Sequence, residues 1–576
     1  MRACRVPAAK PPSLRRTPRL TPLWGQALGA ALFAIAGAVL LYWFVAEVLL
    51  GLPLQVDAKA EAGQQAAQRK FLADLVKIAL GLAAGIGAVI ALVATYRKTR
   101  IEEYASHRDD HRLFSERYQN AAELLGHAKP AVRLAGVYAM ARLADDWDEQ
   151  QQQCIDVLCA YLRLPANEND PGDGEVRDTV IRLVAAHLQP DAEPSWQGRK
   201  FDFTDVTFDH GANFSWAVFS GQTYFGNAKF AGPADFRGAK FAGNAHFRDA
   251  KFAGYAYFLR AEFAGPADFR DAKFAGDAHF PDAEFAGYAH FAGAKFAGDA
   301  HFPDAEFARD AHFAGAKFAG YARFKGVKFA GPADFPDAEF ARPADFPGAK
   351  FAYAYFQRAE FAGNAHFQRA EFAGDADFRG VKFAGDSDFL GAKFTGPADF
   401  PGAEFAGDAH FPGAKFAGDA HFQRAEFAGN AHFPDAEFAG PADFPDALFA
   451  GPAQFKSAKF ARRADFAGAE FARRADFAGA EFARRADFGG AEFAGRYARM
   501  WVTVTSGGSL DLSEVKLGRE RTSEDTEQPA RRSVVSLRHA TLADPASIAA
   551  SVAEAANGCV LILPGGTRAP DPMPNT

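Results

Sequence analysis

Between residues 203 and 493 the apolar and polar positions follow one beat. Phenylalanine recurs at alternating gaps of five and six residues, from Phe203, Phe208 and Phe214 through to Phe488 and Phe493. The ladder takes up 54 of the 59 phenylalanines, with one slip between Phe351 and Phe356, where a gap of six becomes five. Two positions before nearly every Phe stands a small residue, usually Ala, and between them stands Lys, Glu, Asp or His, as in Lys240, Glu262, Asp235 and His246. On an extended segment, residues two apart point to the same side. Ala and Phe therefore face inward, and the charged residue between them faces water. The Gly, Pro, Asp and Arg that follow each Phe suit corners. A helix is excluded, because a Phe every five or six residues walks round a 3.6-residue turn and Gly and Pro recur too often. A regular period of eleven over about 290 residues predicts a solenoid of short strands.

The wording Ala-Lys-Phe-Ala-Gly-Pro-Ala-Asp-Phe-Arg-Gly-Ala-Lys-Phe (228–241) resembles the pentapeptide-repeat proteins, over roughly half the chain. The resemblance implies a mainly β fold, a right-handed quadrilateral β-helix with four short faces per coil. The sequence departs from a pure five-residue period, so two six-residue faces would give about 22 residues per coil, with the extra residue bulged at alternate corners. At about 4.8 Å per coil, about 13 coils make a rod of roughly 60 Å. In that arrangement Lys229, Lys251, Lys273, Lys295 and Lys317 stack as like charges, which costs energy. A two-sided coil of eleven residues would avoid the stack but crowds two Phe and two Ala into each turn. The four-sided coil is the reading adopted, since surface pairs are each worth only about 0.2–1 kcal/mol.

Upstream the pattern is different. Residues 1–22 carry Arg2, Arg5, Lys10, Arg15, Arg16 and Arg19 without an acid, and Gly25 to Ala46 then runs without a charge, long enough to span a bilayer. Trp24, Tyr42 and Trp43 lie near its ends. A second apolar run, Ile78 to Tyr96, ends at Arg97, Lys98 and Arg100. Basic clusters flank the pair on one side, which predicts a two-span transmembrane hairpin over 23–96 in the cell membrane, with both termini and the repeats cytoplasmic. Neither run carries an ionisable residue at its middle, so the pair reads as an anchor and not a transport path. Gly81, Gly85 and Ala88 would let these two helices, or those of a second copy in a homo-oligomer, approach closely.

Residues 97–195 switch to helical period, with apolar stripes over Leu113–Leu125, Ala131–Leu143, Ile155–Leu164 and Val176–Leu188. The segments Phe-Ser-Glu-Arg-Tyr (114–118), Ala-Val-Arg-Leu-Ala-Gly-Val-Tyr-Ala-Met-Ala-Arg-Leu-Ala (131–144) and Cys-Ile-Asp-Val-Leu-Cys-Ala-Tyr-Leu-Arg (154–163) resemble the helical part preceding the solenoid in membrane-anchored pentapeptide-repeat proteins of actinobacteria. That resemblance implies no catalytic residue. The organisation expected is a basic N-terminus (1–22), the hairpin (23–96), an α-helical domain (97–195), the β-helix (200–495) and a capping, partly disordered tail (496–576). In the tail, Met500–Thr505, Val534–Leu537 and Val560–Leu563 are β-prone, and at least one should cover the open end of the solenoid. Residues 506–533 and 565–576 read as disordered.

The formal net charge of −7 gives no basic footprint for nucleic acid. Cys4, Cys154, Cys159 and Cys559 have neither zinc nor redox spacing and read as free thiols. His107 and His111, with Asp109 and Asp110, are one helical turn apart, but no third ligand follows at a fixed spacing, so a solvated helix face is the better reading. In 22-residue coils His279 would stack on His301, His290 on His312 and His410 on His432, and these read as exposed surface histidines. Arg462, Arg463, Arg473, Arg474, Arg484 and Arg485 form a candidate interaction patch, offset by Asp465, Asp476 and Asp487. No phosphate loop, nucleophile elbow or paired nucleophile and base occurs, so neither catalysis, a cofactor, a metal nor a small-molecule substrate is expected. The expected role is a membrane-anchored, non-catalytic scaffold whose partners are the lipid bilayer and an unidentified protein. A DNA mimic acting on a topoisomerase and a two-span membrane sensor are the alternatives.

Overall fold

The computed structural model describes residues 62–167 and 169–494, with short pieces at 36–37, 39–40, 43, 497–499, 502–504, 509–512, 515–517, 534–536 and 560–562. The chain divides into two compact units, residues 1–116 and 117–576. The first contains most of a 64-residue helix, α1 (Ala62–Leu125). Where its side chains are described over the second expected span, Ile78, Val89, Leu92, Val93 and Tyr96 are exposed. The Thr95 and Thr99 hydroxyls donate back to the carbonyls of Ala91 and Thr95. Among the described residues no helix is long and apolar enough to cross a membrane. The hairpin expected over 23–96 is therefore unsupported by the structure, and its first span, 25–46, lies almost wholly outside the described residues.

In the second unit three helices follow: α2 (Pro130–Asp146), α3 (Gln151–Arg163) and α4 (Asp173–His187). Pro130 begins α2, where a missing N–H costs nothing. Val137, Met140, Ile155, Leu158, Val180 and Val184 bury their apolar stripes against one another. Arg133 crosses the bundle with 10 % of its side chain exposed, donating to Asp170 at 2.5 Å and to the Tyr161 hydroxyl at 3.1 Å. Cys154 and Cys159 are free and buried, and burial pushes each thiol up to about 12.

These helices close the first end of the solenoid. Arg177 donates to the carbonyls of Leu162 (2.6 Å) and Leu164 (3.0 Å) and to that of Thr207 in the first coil (3.2 Å). Val218 N–H donates to Leu188 O and Ser220 N–H to Gln197 O, so the edge amides of the first coil find partners. Trp196, fully buried, stacks on His187 at 4.1 Å and donates from Nε1 to Asp145 at 3.0 Å.

From Phe201 onward the chain is a parallel β-solenoid of the right-handed type, about 22 residues per turn and about 14 coils. Each turn has four faces. Face I begins at Phe201–Asp202, face II at Thr207–Phe208, face III at Ala212–Asn213 and face IV at Val218–Phe219, each pairing with the strand 22 residues on. Four faces per turn rule out the eleven-residue coil and make the Lys229–Lys251–Lys273–Lys295–Lys317 stack real. Inside, Phe lies flat on Phe along the axis, as Phe258 on Phe280 at 4.7 Å, and edge-on to Phe across it, as Phe258 to Phe269 at 5.5 Å. Both are favoured aromatic geometries.

The 5+6 alternation is an alternation of corners. Five-residue units, at the turns from I to II and from III to IV, end in a residue with positive φ, such as Asp249 (58°), Arg260 (54°) or Gly315 (61°). Most six-residue units, at the other two corners, carry a Gly pressed against the coil before it: a Cβ on Gly243 would lie 2.5 Å from Gly221 O. At the slip, the corner from IV to I loses its sixth residue, so that Lys350–Tyr355 pairs with Lys328–Asp334 straight through the corner and joins faces I and IV into one 27-stranded sheet.

At the far end Thr503–Val504, Leu510–Asp511 and Lys516–Leu517 extend faces IV, I and II, and Tyr497–Arg499, Val534–Ser536 and Val560–Ile562 extend face III. The disorder expected from 506 is corrected at Leu510–Leu512 and Val515–Leu517. There Leu and Val take the inward positions, and Val502, Val504, Leu510, Leu512 and Val515 are buried. Apart from Ser509, the rest of 506–533, and all of 565–576, lies outside the described residues.

Candidate interaction surface

Since Phe and Ala fill the inward positions, chemistry is confined to the outward one between them. Each face presents one such column at the coil spacing. Faces II and IV carry Lys and Glu, and faces I and III carry Asp, His, Tyr and Asn.

On face IV the charges neutralise one another along the column: Lys240 with Glu262 (2.9 Å), Lys328 with Glu306 (2.5 Å), Lys393 with Glu371 (2.9 Å) and Lys415 with Glu437 (3.2 Å). Face II differs. Its only ion pairs among the described residues are Lys317 with Glu339 (2.7 Å) and Lys382 with Glu360 (3.9 Å).

Face I holds buried carboxylates that recruit arginine from the following corner. Asp268 accepts from Arg270 at 2.6 Å, and Asp377 from Arg379. Although burial alone would raise it, the Asp268 carboxyl is held below the usual carboxylate range by these hydrogen bonds and the Arg270 charge.

The six arginines of the expected patch do not form one patch. Arg462, Arg463, Arg484 and Arg485 share the corner from IV to I, while Arg473 and Arg474 lie at the opposite corner, from II to III. Arg463 bridges Asp443 and Asp465 (both 3.0 Å), Arg474 pairs with Asp476 (2.5 Å), and Arg485 bridges Asp487 (2.8 Å) and Asp511 (3.2 Å). Arg462, Arg473 and Arg484 are exposed and have no ion pair among the described residues.

The three histidine pairs stack, with centroids 4.7 Å (His279, His301), 5.0 Å (His290, His312) and 4.8 Å (His410, His432) apart. One stack gathers a carboxylate: donor atoms of Asp277, His279 and His301 lie within 4.8 Å of one another. The next side chain on that column is a cation. Arg323 Nη1 is 3.2 and 3.1 Å from the two ring nitrogens of His301, a near-equal reach that places it over the ring, and 3.2 Å from Asp299. With that charge already seated, the cluster is closed by the chain itself. The equivalent group six coils on is closed by an amide, Asn430 donating to Asp408 at 3.0 Å. His107 and Asp109 lie on α1 with side chains outside the described residues, and Asp110 and His111 are exposed there.

A cleft of about 370 Å³ lies between α4 and the first coils of face III, edged by Asp178, Arg182, His210, Asn213 and Asp235. His210 Nδ1 meets Asp178 at 2.8 Å, which ties its rim together. The sequence reading missed how the charges divide between faces II and IV. The 22-residue spacing already placed Lys229 to Lys317 in one column; the contrast with face IV comes from following the same spacing along both columns.

A family model described as pentapeptide repeats matches nine times, from 203–251 and 214–261 through 400–448 and 444–492, together covering residues 203–492. No curated protein and no solved structure matches the chain.

Proposed function

This chain belongs to the pentapeptide-repeat family, and from that premise we propose that it is a membrane-anchored, non-catalytic scaffold whose solenoid presents flat faces to a protein partner. The observation that carries the reading is the division of labour between inward and outward positions. From Phe201 to Phe493 the interior is Phe and Ala at or near zero exposure, while the outward residue varies freely among Lys, Glu, Asp, His and Tyr. A long, uniformly packed rod with a variable skin suits recognition by area and charge, not turnover in a pocket.

The anchor rests on the apolar runs 25–46 and 78–96 and on the basic clusters beside them. It agrees with the exposed Ile78, Val89, Leu92 and Val93 on α1, and with Thr95 and Thr99 keeping their hydroxyls on the helix backbone. A topoisomerase-directed DNA mimic would need an unbroken acidic stripe. The longest column of Asp, Asp443, Asp465, Asp487 and Asp511, is interleaved with Arg463 and Arg485. Two measurements test the proposal: retention of the chain in the membrane pellet through a high-salt wash, and capture of a recurrent protein on crosslinking at the solenoid.

A further inference from the structure

Face II carries a pattern that the other faces lack. From Lys229 to Glu492 its outward column contains six lysines, Lys229, Lys251, Lys273, Lys295, Lys317 and Lys382, and as many glutamates, and the signs are segregated. The first five lysines occupy successive coils. The glutamates Glu339, Glu360, Glu404, Glu426, Glu470 and Glu492 fill the other half, interrupted by Lys382 and Leu448. Lys229, Lys251, Lys273 and Lys295, and likewise Glu404, Glu426, Glu470 and Glu492, have no ion partner among the described residues, whereas face IV pairs most of its charges within itself. Stacked like charges cost energy, so a column of this kind gains from an external partner.

We propose that face II is the interface of an antiparallel homodimer whose two-fold axis passes at Glu360. With the axis there, Lys229 of one copy faces Glu492 of the other, Lys251 faces Glu470 and Lys295 faces Glu426. Nearer the axis Lys317 meets Glu404, and Glu339 meets Lys382. Lys273 faces Leu448, and only Glu360 meets its own kind. Two-fold symmetry makes each of these contacts twice. Moving the axis by half a coil one way sets Lys317 against Lys382 and Glu339 against Glu360. Moving it the other way sets Glu339 against Glu404 and leaves Lys295 against Leu448. The charge order thus selects one register. Beside the charged column runs a column of exposed Ala, including Ala253, Ala275, Ala297 and Ala319, small enough for two such faces to approach. A polyanion or an acidic protein would satisfy the lysine half and leave the glutamate half unpaired, which is why a second copy of this chain is the partner that fits. Single exposed pairs are weak, and it is their number and order that select the partner.

The test uses the full chain in detergent micelles at low and high salt, with the protein mass taken from light scattering. The mass expected at low salt is twice that of the chain, falling towards one chain as salt screens the pairs. K251E/K295E alone and E426K/E470K alone should each lose the dimer, and an equimolar mixture of the two should regain it, because every reversed charge then meets its reversed partner. Zero-length carbodiimide crosslinking should join Lys229 to Glu492. Within one rod these residues are twelve coils apart, about 58 Å at the strand spacing, so that link forms only between two copies. A wild-type chain of single mass at low salt overturns the proposal. So does a dimer unmoved by either double variant, or a mixture that stays monomeric while each variant keeps its β-sheet circular dichroism.

Discussion

Phe252 lies flat on Phe274, ring centroids 4.7 Å apart and planes 2° from parallel, and the same contact repeats from coil to coil along face II. Each ring therefore supports the ring before it and the ring after it. Phe274→Ala removes one rung and leaves a cavity between two rigid coils that cannot collapse into it, for an expected loss of about 3–5 kcal/mol. Phe274→Leu, which keeps most of the volume, should cost distinctly less. Urea denaturation followed by tyrosine and tryptophan emission checks both. Equal losses from the two variants would mean that the rings do not pack as a stack.

The two kinds of corner make opposite predictions for glycine. Gly429 sits at a six-residue corner, where a Cβ would lie 2.3 Å from Gly407 O, so Gly429→Ala must shift backbone and should lower the melting temperature of the solenoid by several degrees. Gly315 has φ +61° and open space around its Cβ position. Gly315→Asn should be nearly neutral, since Asp and Asn hold the same conformation at other corners, among them Asp304 and Asn227. Differential scanning calorimetry of the two variants separates the cases.

Much of this was legible in the chain because spacing alone sets the fold. Phe at gaps of five and six fixes which side chains point inward, and the alternation of the two gaps separates the corners that turn through positive φ from those that do not. The same reading failed at Leu512 and Leu517, where Leu takes the place of Phe and the short repeat is lost in a polar tail. It also failed to foresee that Arg177 and Trp196 would seal the first coil, since a helix period identifies an apolar stripe without saying what covers it. The division of charge between faces II and IV was hidden for a different reason: neighbours in sequence lie on different faces, and only residues a full turn apart share a column.

Ser387 occupies an inward position between Ala365 and Ala409, fully buried, with no hydrogen-bond partner for its hydroxyl. Desolvating an unpaired hydroxyl costs about 1–3 kcal/mol, so Ser387→Ala should stabilise the chain by about 1 kcal/mol or more. A shift of the urea midpoint to higher concentration at unchanged slope is the result expected, and a lower midpoint would show that the hydroxyl is paired.

The stacked histidines give a pH dependence with a definite sign. Burial, with lesser contributions from neighbouring charges, holds His279, His290, His301 and His432 below the ordinary histidine value of 6.5. The unfolded chain then takes up protons first, so stability is whole above pH 6.5 and declines as the pH falls from there toward the folded values. Replacing His279 and His301 together by Asn should flatten that decline. Melting curves between neutral and mildly acidic pH check it, and an unaltered slope in the double variant would place the titrating groups elsewhere.

The scaffold reading is tested most directly by crosslinking and mass spectrometry on native membranes washed in high salt, comparing the full chain with one lacking residues 1–96. The account predicts that the full chain remains in the pellet with a recurrent protein crosslinked to outward lysines of the solenoid, and that the shortened chain leaves with the wash. Release of the full chain by salt, or a washed pellet whose solenoid lysines crosslink to no other protein, would contradict it.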